Sequence, residues 1–145
     1  MFNREKKILI LLFGSYLLAF VMNFMPSIKA PDLNVTIVNL VVSILFAVVL
    51  LIYSKTGSKK LRLFSLVGVI SGIIIYLINV FEYEMMGNFL LDSLASLQYP
   101  LYVIYTTPIF GGAIFFELNY QTYSLFLSVF YATVLVLTLK SDKKV

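Results

Sequence analysis

Residues 61–81 read LRLFSLVGVISGIIIYLINVF. The stretch opens beside Lys59, Lys60 and Arg62, closes at Glu82 and Glu84, and carries no charge in its interior. A helix needs about 20 mostly apolar residues to cross a hydrocarbon core of about 30 Å. This segment therefore reads as a membrane span, and three others match it. Residues 8–25 follow Arg4, Lys6 and Lys7 and stop at Pro26; residues 35–53 follow Pro31 and Asp32 and stop at Ser54 and Lys55; residues 122–139 end at Lys140. Lipid offers the backbone no hydrogen-bond partner, so all four are predicted as helices. The first is too long for the apolar core of a signal peptide, and no small residue stands three positions before a cut after Ala30. It reads as an uncleaved span.

Composition agrees. Of 145 residues, 61% are apolar and 12% charged, the net charge is +4, and Cys, His and Trp are absent. A soluble domain averages roughly 45–50% apolar and about 25% charged. A disordered chain, a disulfide scaffold and an ordinary soluble domain are excluded. Without His or Cys, zinc sites, Cys or Ser–His nucleophile systems and c-type haem are excluded as well. The fold class is all-α: an integral membrane protein forming a polytopic helical bundle, a single transmembrane domain over residues 1–145.

A fifth apolar run, residues 99–116, is rich in tyrosine (Tyr99, Tyr102, Tyr105) and interrupted by Thr106, Thr107, Pro108, Gly111 and Gly112. Charge bears on its path. With four crossings and both termini cytoplasmic, ten Lys and Arg lie inside and one, Lys29, outside; five crossings leave seven inside and four outside. The positive-inside rule favours four. The run then dips in from the outer face and returns, or packs against the bundle; a fifth span with an external tail is the alternative. Between 85 and 97, Met86, Leu90, Leu94 and Leu97 follow helical spacing, with Asn88, Asp92 and Ser96 on another face. A short amphipathic helix along the outer interface is predicted there, or else a loop packed on the bundle.

Helices already in lipid associate through close packing and interhelical hydrogen bonds. Each span carries small or polar residues at spacing four: Ser15, Ala19, Asn23; Asn39, Ser43, Ala47; Gly68 and Gly72, with Ser65, Ser71 and Asn79 nearby; and Ser124, Ser128, Ala132. These rows predict a tight bundle, or one that also self-associates. Asn23, Asn39 and Asn79 share a depth toward the outer leaflet, with Asn119 and Gln121 near it. An unpartnered amide in hydrocarbon costs several kcal/mol, so these groups are expected to face one another. They form either a structural cluster or an outer vestibule with Glu82, Glu84 and Asp92 at its mouth and Tyr99, Tyr102 and Tyr105 along its wall.

The remaining chemistry is sparse. Glu117 is either a buried ionisable group, which would mark a functional site, or part of the polar turn with Asn119. The outer carboxylates have no third fixed ligand and no nucleophile beside them, so capping or attraction of a cationic partner is expected rather than catalysis. Lys55, Lys59, Lys60 and Arg62 form a cytoplasmic basic loop suited to anionic headgroups or a cytosolic partner; nucleic acid is not expected. No cofactor or metal is expected. The break at 108–112 has no counterpart elsewhere in the chain, which speaks against inverted repeats.

The functional expectation is a small non-enzymatic accessory, sensor or immunity-type subunit of the cell (plasma or inner) membrane. It acts by helix–helix contact with itself or another membrane protein. The alternative is an oligomeric channel or small-solute transporter lined by the Asn and Ser faces.

Overall fold

The computed structural model describes residues 3–30, 34–116 and 118–142. It is all-helical, and four helices are long and apolar enough to cross a membrane: α1 (Arg4–Ile28), α2 (Ile37–Ser54), α3 (Lys59–Val80) and, at the end of the chain, α7 (Tyr120–Asp142). Between α3 and α7 lie the short helices α4 (Glu82–Met85), α5 (Phe89–Ala95) and α6 (Gln98–Leu101). A π-helical turn (Tyr102–Thr106) and a 3-10 stretch (Thr107–Phe115) follow.

The long helices form two antiparallel pairs. In one, the Asn39 amide at the start of α2 donates to the Met22 carbonyl near the end of α1 (2.8 Å). In the other, Arg62 at the start of α3 meets Asp142 at the end of α7 (2.5 Å), and Gln121 at the start of α7 donates to Asn79 near the end of α3 (2.5 Å). Gly57, in the short α2–α3 connection, adopts a left-handed φ of 69° beside the Asp142 backbone. The conformation suits glycine, which has no Cβ to clash. The starts of α1 and α3 and the ends of α2 and α7 thus share one end of the bundle. Among the described residues that end holds eight Lys or Arg and two carboxylates, while the other end holds Glu82, Glu84, Asp92 and Lys29.

Small residues decide how closely each pair approaches. A Cβ on Gly68 would stand 2.7 Å from the Tyr131 ring, and one on Gly72 would run into the Ser124 carbonyl. The GxxxG row is therefore filled by α7 of the same chain. Ser15, Ala19, Asn39, Ser43, Ser124 and Ser128 are likewise buried, and Ala47 and Ala132 are half-buried. Large apolar side chains on all four long helices point outward, among them Phe13, Leu17, Val21, Ile44, Ile73 and Val129.

Two local expectations change. Helix α1 does not stop at Pro26 but continues to Ile28. Proline removes one donor and frees the carbonyl four residues back; here that carbonyl belongs to Met22, and Asn39 of α2 takes it up. The helix predicted over 85–97 is shorter. Gly87, at φ 90°, separates α4 from α5, and Asn88 caps α5 by accepting from the Leu90 N–H (3.1 Å). The fifth apolar run, read from the sequence as a broken segment, is divided into short pieces of three helical types.

Candidate functional site

The broken segment, from Gln98 to Phe115, is the centre of the molecule. Its π turn and 3-10 stretch surround Pro108, which cannot donate to the carbonyl of Ile104. That carbonyl instead accepts from the Tyr16 hydroxyl on α1 (3.0 Å). The neighbouring carbonyls are met in the same way. Tyr131 on α7 donates to Tyr105 (2.7 Å), Asn23 on α1 to Pro108 (3.2 Å), and Tyr123 on α7 to Ile109 (2.6 Å). The Gly111 N–H donates to Ser43 on α2 (3.0 Å). Hydroxyl pairs add Ser27 with Thr107 and Thr106 with Ser124, both at 3.0 Å. Buried irregular backbone needs partners for its polar groups, and here α1, α2 and α7 supply them.

Gly111 lets the segment approach α2 most closely: a Cβ there would collide with the Asn39 carbonyl. Tyr105 is buried and packs against Phe64 of α3 and Tyr131 of α7, with ring centres 4.9 and 5.6 Å away. From this depth the chain returns: Ile109 meets Tyr123 near the start of α7, and Gly111 meets Asn39 and Ser43 near the start of α2. The segment thus enters and leaves at the end of the bundle where α7 starts. It fills only that half.

Two cavities flank it. One, of about 440 Å³, lies toward the opposite end, between α1, α2 and the start of α3. It is apolar and aromatic, lined by Leu12, Tyr16, Phe46, Leu50 and Phe64, with Lys60 at its rim. The other, of about 400 Å³, lies among the end of α1 (Ser27, Ile28), the start of the broken segment (Gln98, Tyr99, Tyr102, Val103) and Tyr120.

The sequence-predicted residues therefore divide into groups. Asn23, Asn39 and Asn79 do not face one another. Asn23 bonds Ser43 (2.9 Å) and the broken segment; Asn39 bonds Thr36 and α1; Asn79 bonds Tyr120 (3.0 Å) and Gln121. Each amide found a carbonyl or hydroxyl closer than another of the three. Tyr99 and Tyr102 share the second cavity, whereas Tyr105 sits deeper and does not line it. Glu82 is half-buried and Glu84 and Asp92 are exposed, all outside the cavity lining. Asn119 is exposed and accepts from the Thr122 N–H at the start of α7 (3.0 Å). Glu117 lies outside the described residues. Lys55, Lys59 and Lys60 are exposed at the basic end, and Arg62 is engaged by Asp142.

Sequence reasoning missed Gln98, Tyr16, Tyr120, Tyr123 and Tyr131. Gln98 is the one amide inside the apolar stretch from Leu97 to Val103, which was its only signal. Tyr16 and Tyr131 stand in the middle of long apolar helices rather than at their ends, and that placement was legible. No family model, curated protein or solved structure matches the chain.

Proposed function

We propose that the chain is a multi-pass protein of the cell membrane, with four crossings and its basic end in the cytoplasm. It serves there as a non-enzymatic accessory, sensor or immunity-type subunit through lateral helix association, first of all with a second copy of itself. The supporting observation is the uneven cover of the helices. Only 17% of the most apolar window of α1 is buried, against 33% in α3 and 39% in α2 and α7. The small-residue rows are occupied inside the subunit, so association uses the large side chains of α1: Phe13, Leu17, Val21 and Phe24. The same inward placement favours this reading over a channel, because Asn23, Asn39 and Ser43 are committed to neighbouring helices and leave no polar stripe for a shared water-filled axis. Lys55, Lys59 and Lys60 face the cytoplasm, where anionic headgroups or a cytosolic partner can meet them.

Because the chain has no cysteine, single replacements report contacts cleanly. Leu17→Cys and Val21→Cys in native membranes should give disulfide-linked dimers on mild oxidation, while Ile44→Cys and Ile73→Cys should not. Monomer at all four positions, or equal dimer at all four, would overturn the association reading.

A further inference from the structure

The half of the bundle that the broken segment leaves unfilled holds the cavity of about 440 Å³, within the range of small-molecule sites, roughly 300–1,000 Å³. Its inner end is closed where the Tyr16 hydroxyl donates to the Ile104 carbonyl (3.0 Å) and Phe64 packs on Tyr105 (ring centres 4.9 Å apart). Leu9 and Tyr16 both line it, two turns apart on α1. At about 1.5 Å per residue, that gives a depth of about 10 Å along the helix axis. The wall opposite α1 is apolar and buried, with Phe46 and Leu50 on α2. Tyr16 has committed its one proton to Ile104, so the inner end offers no free donor. Hydrocarbon fills such a space without stranding a polar group.

The mouth has a different character. Lys60 lines it, is exposed, and makes no ion pair among the described residues. Lysine lays its methylene stem along apolar surface and keeps the ammonium in polar surroundings. Two carboxylates stand at this end among the described residues, Glu5 and Asp142; neither lines the cavity, and Asp142 is engaged by Arg62. On the outer side Leu9 and Phe13 are 44% and 66% exposed, so the cavity also opens sideways between α1 and α3. A ligand that satisfies all three features has a hydrocarbon chain beneath an anionic head and enters from within the bilayer.

We propose that this cavity holds one acyl chain of an anionic phospholipid, with the Lys60 ammonium paired to the headgroup phosphate. A zwitterionic headgroup carries its own cation beside the phosphate, so the lysine favours lipid of net negative charge. The site rests on the membrane reading of the long helices. It does not rest on self-association, whose test positions Leu17 and Val21 lie outside the lining.

The test is native mass spectrometry of the detergent-solubilised full chain, given an equimolar mixture of phosphoglycerol and phosphocholine lipids with identical chains. Wild-type protein should retain one phosphoglycerol lipid per subunit, about fivefold over phosphocholine, the factor that matches about 1 kcal/mol for a basic residue near anionic lipid. Lys60→Gln should bring the preference close to parity. Lys59→Gln, the neighbouring residue and outside the lining, should keep most of it. Leu12→Trp fills the cavity with every charge in place and should remove the retained lipid of either kind. Lys60 is exposed, so Lys60→Gln keeps the test decisive if Leu12→Trp misfolds. Monomer and dimer are resolved as separate masses, so lipid selectively retained on monomer supports the site even where association fails. Equal retention of the two lipids by wild-type protein, equal losses in Lys59→Gln and Lys60→Gln, or wild-type retention in folded Leu12→Trp would overturn the proposal.

Discussion

At the scale of single residues, two prolines account for much of the polar architecture. Pro26 frees the Met22 carbonyl for Asn39, and Pro108 frees the Ile104 carbonyl for Tyr16. Each pair is a testable coupling. Asn39→Leu should cost about 1–3 kcal/mol, because a buried acceptor loses its donor. In a Pro26→Ala background, position 26 regains an N–H that can serve the Met22 carbonyl from within α1. The cost of Asn39→Leu should then fall by about 1 kcal/mol; a thermal-unfolding double-mutant cycle reads the difference. Additive costs would mean that Asn39 stabilises α1 in another way. Glycines give a second prediction. Gly111→Ala drives a methyl into the Asn39 carbonyl, which as backbone cannot swing aside, and should lower stability by about 1–3 kcal/mol. Gly14→Ala, with open space around it, should be neutral or slightly stabilising in the same melt, since alanine is the better helix former. These clashes were only half legible in the sequence. Gly68 and Gly72 announced a close helix contact by their spacing, but nothing local could say that the neighbour would be Tyr131 or Ser124 of the same chain.

At the scale of elements, the four long helices were legible because length and hydropathy are properties of each segment alone. The broken segment was legible as broken, from Pro108, Gly111 and Gly112, but its path was not. That path depends on donors contributed by Tyr16, Asn23, Tyr123 and Tyr131, up to 88 residues away in sequence. A prediction belongs to this level. Tyr131→Phe removes the donor to the Tyr105 carbonyl but preserves the ring packed beside Phe64. It should destabilise the turn by about 0.6–2 kcal/mol and raise amide hydrogen exchange at residues 102–108 more than in α2. Uniform loss across all helices would show that Tyr131 supports the bundle generally. The pair Arg62–Asp142 provides contrast: both side chains are partly exposed (31% and 45%). Asp142→Asn should change the melting midpoint by less than the equivalent of about 1 kcal/mol.

At the scale of the whole molecule, charge and path tell one story. The two helix pairs put eight described basic residues at one end and Lys29 alone at the other, and the broken segment occupies only the half nearer the acidic end. Interhelical hydrogen bonds tie that half together around the cavity at Gln98 and Tyr102, while the other half keeps the apolar cavity lined by Tyr16 and Phe64. The small-residue rows fasten the subunit internally and leave the outer surface to large side chains, most of all on α1. The sequence displayed the rows without showing which surface they would serve, because a stripe of Ser, Ala and Gly has the same spacing whether its partner belongs to the same chain or to another.

The proposal that residues 98–116 enter and leave the membrane on one side is tested most directly by sided cysteine labelling in intact cells, with Asn88→Cys, Asn119→Cys, Thr56→Cys and Ser141→Cys made one at a time in this cysteine-free chain. Membrane-impermeant maleimide should label positions 88 and 119 from outside, and positions 56 and 141 only after the membrane is opened. Labelling of 88 and 141 from outside with 119 protected would place the broken segment across the membrane and contradict the fold's central feature.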